Sequence, residues 1–326
     1  MVSTVKVVLF AIPILTVNLL VSAINAQQAP EPKKAMQLMG MTGVKNNTEG
    51  SLTVENGNLR FTHSRSTSDL APSSMQDVVT GSDSQRVIRG TLGTLSMFGP
   101  YGSDRFMSLF RSKLDTLTIQ YRDDDGALHG VIFTAPVGTA DLIKDELTGL
   151  GAHTSIPTQG NPTTDTSDHP DTKESPSHAK GGQSAKVNAS AITVMMIQSD
   201  EIKLPAEFQV SLYEYLIQEL QKKSGFHHIY REGDRNSADA PNLIVLHSTV
   251  RGFKKGSEMA RQVTTVSGAT SISVHCEFTD KDGQLLLARD IKGKVRFFGG
   301  NLRATYDFAK KAASVTHGNF SPVAGS

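Results

Sequence analysis

GAHTSIPTQGNPTTDTSDHPDTKESPSHAKGGQSAKVNAS, residues 151–190, is the stretch from which the rest of this chain is read. Beyond Ile156 and Val187 it holds almost no large apolar side chain. Pro157, Pro162, Pro170 and Pro176 deny it a long helix, and the Thr, Ser, Asp and Lys between them bury too little apolar surface to offset the entropy of ordering. It reads as a disordered linker over 153–190. A coil of about 40 residues separates its ends by roughly 35 Å, so the expectation is that the flanking parts move independently.

The chain has 326 residues, 38% of them apolar, enough for about two cores. A net charge of +1 gives no overall electrostatic reason to bind nucleic acid, and with no Trp and 6% aromatics, stacking platforms for bases are scarce. One cysteine excludes an internal disulfide.

The opening MVSTVKVVLFAIPILTVNLLVSAINAQQAPEPKK carries one early charge, Lys6, then an uncharged, mostly apolar run over 7–21 that is short for a membrane span. Small residues follow at 21–23 and 24–26. The pattern predicts a secretory signal over 1–26 cleaved near Ala26, and a periplasmic or secreted protein; the competing reading keeps the segment as an uncleaved anchor. Residues 27–42 read as a loose mature N-terminus.

From Gly43 the pattern is strand-like. Leu52 and Val54 alternate with polar residues, Asn56-Gly57 is the pair a type I′ turn prefers, and Leu59, Phe61 and His63 alternate again. Residues 75–80 read as a third strand, the Gly-rich 90–106 resists assignment, and 114–121 and 128–133 form a second hairpin around Asp123-Asp124-Asp125-Gly126. Thr139 is placed to cap a helix with Ile143, Leu147 and Leu150 at i, i+4, i+7 and Leu142 beside them, ended by Gly151.

After the linker, AITVMMI (191–197) has the length of a buried strand. Pro205 opens a long helix with Phe208, Leu212, Leu216 and Leu220 at i+4 spacing, Tyr215 and Ile217 widening the stripe, and Gln218 on the polar side. Strands are expected at 226–230, 243–250, 271–278 and 285–291, the last extending towards Val295, with a charged loop over 252–261. Asn301 is placed to cap a final helix over 302–315, packed through Tyr306, Ala309, Ala312 and Ala313, before a flexible tail at 317–326.

Gly50-Ser51-Leu52-Thr53-Val54 and Asn58-Leu59-Arg60-Phe61, in antiparallel strands followed by one amphipathic helix, resemble a bacterial pleckstrin-homology-like (PH/GRAM) domain over 43–152. That resemblance implies a mainly antiparallel PH-like barrel closed by its C-terminal helix. The turn Glu55-Asn56-Gly57-Asn58 lacks the Lys or Arg that the family's lipid-headgroup site usually places there. The second half resembles the family catalogued as domain of unknown function 4410 over 191–316: the opening strand, the long helix, Ala238-Asp239 before the Leu243 strand, Arg261, Phe278-Thr279-Asp280-Lys281-Asp282-Gly283, and Phe298-Gly299-Gly300. This implies an exported α/β module, a mixed sheet with two helices, and transfers no catalytic residue.

Chemical motifs are sparse. His227 and His228, adjacent on a strand, point to opposite faces and cannot share an ion. Cys276 lies on one strand face with Val274 and Phe278, away from His275, as a small buried hydrophobe. Asp123-Asp124-Asp125-Gly126 lacks the twelve-residue spread of an EF-hand and reads as a hairpin turn. Gly299-Gly300-Asn301 has no Walker Lys-Ser/Thr beside it and reads as a turn and cap. Arg251, Lys254, Lys255 and Arg261 form the one notable basic patch, placed to meet protein, envelope polymers or a membrane surface weakly. No catalytic, cofactor or metal residue is assigned. The reading is an exported, non-enzymatic envelope protein that binds or scaffolds through two tethered modules. The alternatives are a carrier of a lipid or peptide in an N-terminal pocket and, behind it, an enzyme without a local motif.

Overall fold

Residues 31–81, 83, 114–155, 186–199, 202, 204–254, 270–295 and 302–321 are described by the structure, a computed structural model. Among them are two large sheets and three α-helices.

The first sheet has seven antiparallel strands: β1 (Lys33–Met39), β2 (Thr48–Glu55), β3 (Asn58–His63), β4 (Ser66–Leu70), β5 (Met75–Thr80), β6 (Leu114–Arg122) and β7 (Leu128–Pro136), in the order β4-β3-β2-β1-β7-β6-β5. Both expected hairpins form. Asn56 and Gly57 take positive φ, as a type I′ turn requires, and Glu55 pairs with Asn58. Strand β1 corrects the reading of 27–42 as loose. It lies at the centre of the sheet, hydrogen-bonded to β2 and β7, with Ala35, Gln37 and Met39 buried.

No barrel closes among the described residues, contrary to the expectation for 43–152. The free edge of β5 is occupied instead by the chain after the helix: Val78 N–H donates to His153 O at 3.1 Å, and Ser155 N–H and hydroxyl donate to the Asp77 carboxylate. Helix α1 (Thr139–Gly149) packs on β5, β6, β7 and β2, with Ala140, Ile143, Lys144 and Leu147 buried. Gly138 rather than Thr139 takes the N-cap position, and Leu142 and Leu150 are exposed, so the apolar face is narrower than the spacing implied. Gly151 ends the helix as expected, at φ 96°, with Ala152 N–H reaching Leu147 O and Gly151 N–H reaching Thr148 O, the paired bonds of a Schellman cap.

The second sheet is mixed. Strands β9 (Ala191–Val194), β10 (His228–Arg231), β11 (Leu243–Lys254), β12 (Thr270–Asp280) and β13 (Leu285–Val295) follow the order β10-β9-β11-β12-β13, with β9 parallel to both neighbours and the rest antiparallel. Helices α2 (Ala206–Lys223) and α3 (Arg303–Asn319) cover one face. The stripe Phe208, Leu212, Leu216 and Leu220 is buried there, and Phe308, absent from the expected α3 face, joins Ala309, Ala312 and Ala313 in the core. Tyr306 is half-buried and meets Tyr215 edge to face at 5.3 Å.

Two short strands, β8 (Val187–Asn188) and β14 (Phe320–Ser321), pair in parallel. The first falls in the stretch expected to be linker and the second in the stretch expected to be flexible tail. Burial explains the order: Phe320 is 1% exposed and packs on Phe278 and Phe226, and Ala189 N–H closes the clasp by donating to Ser321 O. The Gly-rich 90–106, the 252–261 loop beyond Lys254, and Asn301 lie outside the described residues.

Candidate functional site

Helix α2 has a second buried face. Val210, Glu214 and Gln218 recur at i, i+4 and i+8, opposite in role to the Leu stripe; the first two meet the first sheet and Gln218 meets the turn between β1 and β2. Val210 packs with Met39 and Ile132. A side chain at Gly130 would bring a Cβ to 2.5 Å from Val210 Cγ1, so only glycine lets β7 approach this closely. Asn46 donates through its amide to Gln218 Oε1 at 3.2 Å. Helix α2 is therefore wedged between the sheets, and its supposed polar side is an interface.

Glu214 is the centre of that interface. Its carboxylate is 1% exposed and takes a bidentate fork from Arg231 of β10 at 2.7 and 2.8 Å. Oε1 also accepts from Gly130 N–H at 2.9 Å, and Arg231 donates onward to Leu128 O at 3.1 Å. Tyr213 stands under the guanidinium, its ring 5.6 Å away; its hydroxyl donates to Val194 O and accepts from Glu232 N–H at 3.0 Å. Burial disfavours the charged form of Arg231, and Glu214 outweighs it, so the guanidinium is held above its ordinary value. Burial likewise pushes the Tyr213 hydroxyl far above its own.

The acidic turn joins the same junction. Asp123 Oδ1 accepts from Asp125 and Ala127 N–H at 3.0 and 2.9 Å, which makes residues 123–126 a hairpin turn, as read from the sequence. The docking of that turn was not legible. Leu128 N–H donates to Glu232 O at 2.9 Å, Arg235 N–H donates to Asp125 O at 3.1 Å, the Arg235 guanidinium donates to Asp124 O, and Arg122 reaches both Gly126 O and Glu232 O. These bonds link the two flanks of the linker, against the expectation that they move independently.

The other candidates stay apart. Arg251 and Lys254 are exposed on β11, either side of Gly252 and next to a bulge, while Lys255 and Arg261 lie outside the described residues, as does Gly299-Gly300-Asn301. His227 and His228 are exposed, and His228 stacks on Tyr230 at 5.8 Å. Cys276 is buried, and burial pushes its thiol up to about 12, which makes it inert as a nucleophile at neutral pH. His275 points to the opposite face, between Asp290 at 2.7 Å and Glu277 at 3.2 Å. Among the described residues no three His, Cys, Asp or Glu converge as a metal would need, and no helix is long and apolar enough to cross a membrane.

No family model matches this chain, and no curated protein does. Several solved structures share part of its shape, three of them as follows. A PelC variant dodecamer from Paraburkholderia phytofirmans is 15% identical over 42% of this chain and 92% of its own, at a TM-score of 0.29. PLC21 of L. pealei is 16% identical over 38% of this chain and 16% of its own, at 0.24. A protein from Caulobacter crescentus CB15, described as a lipoprotein, is 16% identical over 38% of this chain and 81% of its own, at 0.20. Likeness at this level carries no argument about function.

Proposed function

We propose that this chain is an exported, non-enzymatic cell-envelope protein that binds or scaffolds other envelope components through two domains, an N-terminal PH-like module and a C-terminal α/β module related to the domain of unknown function 4410 family. Export rests on the uncharged run and small residues before Ala26. The observation that carries the binding role is the junction itself. Glu214, Arg231, Tyr213 and Glu232 spend their polar atoms on one another and on backbone across the two sheets, which suits a rigid platform rather than a reacting centre. On β11, Arg251 and Lys254 are exposed cations that an anionic partner would meet. N-terminal sequencing of the exported form should begin just after Ala26, and retention of Met1 on membrane-bound protein would refute export by cleavage. A photo-crosslinker at Gly252 should capture envelope components in the native host. Loss of the captured species in Arg251→Glu/Lys254→Glu supports the patch, and unchanged capture removes it.

A second reading, the carrier, has one observation in its favour. Gln37 is completely buried in the first sheet, across from Thr48 and Phe133, and neither atom of its amide has a hydrogen-bond partner. A guest offering one donor and one acceptor would satisfy both. Mass spectrometry of organic extracts from the purified full chain tests this: a stoichiometric molecule that disappears in Gln37→Met selects the carrier, and an empty protein rejects it.

A further inference from the structure

The hairpin that docks on the second half carries a largely buried histidine. His129 lies on β7 next to Gly130, with its side chain 12% exposed. Its Nε2 is 2.9 Å from Asp123 Oδ2, its ring stacks on Tyr121 at 5.2 Å, and its Nδ1 is buried with no hydrogen-bond partner. With Asp123 accepting, Nε2 carries the hydrogen and the neutral ring leaves Nδ1 as a bare lone pair. A second proton would create an N–H donor at Nδ1 with nothing to receive it, and a positive charge in a site largely withdrawn from water. Asp123 is also the residue whose other oxygen shapes the turn that meets Glu232 and Arg235.

The charged groups that act on the ring are Asp123 from the turn, Glu214 from α2 and Arg231 from β10, while Arg122, beside Tyr121 on β6, and Glu232, just after Arg231, bond to each other. We propose that His129 makes the junction acid-labile: protonation of its ring loosens the docking of the β6–β7 hairpin on the second half of the chain. Burial, followed by the Arg231 guanidinium, holds His129 below the ordinary histidine value, and Asp123 and Glu214 offset this only in part. Arg231 belongs to the far side of the junction. Docking brings that cation up to the ring together with Glu214, whose opposite effect is the smaller, so by reciprocity a proton on the ring works against docking. The sign follows. The docked state binds fewer protons than the separated one, so the junction is intact above about pH 6.5 and weakens as pH falls through that value. Asp123 contributes separately and lower. Burial raises its carboxyl, but His129 and the Ala127 and Asp125 N–H groups outweigh that and hold it below its ordinary range, so its share is lost only in stronger acid.

Three amides read the junction directly, because each donates across it: Leu128 to Glu232 O, Gly130 to Glu214 Oε1, and Arg235 to Asp125 O. Their hydrogen-exchange protection, corrected for intrinsic exchange, would be measured in the full chain at about pH 7.5 and about pH 5.5, either side of the ordinary histidine value. We expect protection at these three sites to fall on acidification, by at most about tenfold per pH unit for one proton, while amides of β2 and β3 hold. His129→Gln keeps an N–H to offer Asp123 and cannot be protonated, so its pH response should be flat. His129→Phe, which keeps the ring on Tyr121, should be flat as well and serves if the glutamine variant misfolds. Protection in the native chain that ignores pH, a variant that keeps the native pH response, or a parallel loss in β2 and β3 would each overturn the proposal.

Discussion

Gln37 shows what a single side chain can hide. In KKAMQLM, part of a stretch that reads as loose, it looks like one more solvated polar residue, yet the segment is a central strand and the amide is buried. Leaving an amide unpaired in an apolar core costs about 1–3 kcal/mol, a cost that methionine of similar length does not carry. Gln37→Met should therefore raise the urea midpoint of the full chain, and a lower midpoint would show that the amide supports the fold. Charged residues were as opaque as this one. Glu214 reads as a solvent-facing helical acid because its partners, Arg231 and Gly130, lie 17 and 84 positions away. Cys276 was legible because its two strand neighbours on the same face, Val274 and Phe278, are apolar, and alternation alone places the thiol inside.

At the scale of elements, what the sequence displayed was local periodicity. The hairpins could be read because alternation and turn residues coincide at Asn56-Gly57 and at 123–126, and α2 because its Leu stripe repeats every fourth residue. Strand β1 was missed because it follows Pro30 and Pro32 and finds its partners in β2 and the distant β7, and β14 because one buried aromatic, Phe320, anchors a two-residue strand. Among the described residues the sheet does not close into the expected barrel, and His153–Ser155 lie along the β5 edge, a tertiary choice that no pattern in those three residues announces. Two substitutions in α2 separate its faces. Leu216→Ala, fully buried on the mixed sheet, should cost about 2–5 kcal/mol in urea unfolding. Gln218→Ala loses the hydrogen bond from Asn46 and should cost about 0.5–1.5 kcal/mol, more than a solvated position would. Equal small shifts would mean that the stripe is not buried. Phe320→Ala should cost about 3–5 kcal/mol, and a neutral result would refute the clasp between β8 and β14.

For the whole molecule, the question is what a segment read as a linker, whose residues 156–185 lie outside the described residues, would be for once its two flanks touch. A chain-entropy argument from composition gives each flank freedom to move, but it counts nothing for a junction that buries Val210 and Glu214 and exchanges backbone hydrogen bonds at Leu128 and Arg235. In the docked state the linker would serve mainly to keep the second half at high effective concentration near the first, so cutting it should leave the halves associated. A specific protease site placed between Pro162 and Pro170 tests this. After cleavage the two fragments should still co-elute on size exclusion at micromolar concentration. Glu214→Ala in the cleaved protein removes the acceptor that Gly130 N–H reaches across the junction and leaves that buried amide unpaired, at about 1–3 kcal/mol; Arg231, its other partner, is on the same fragment. That loss weakens association by roughly fivefold to a hundredfold, so on dilution the variant's fragments should separate at concentrations where the parent's stay together. Fragments that part on cleavage alone would show that the junction is held by the covalent tether. Fragments that remain together even with Glu214→Ala would place the holding energy in the apolar contacts of Val210, Met39 and Ile132 instead of in the charges.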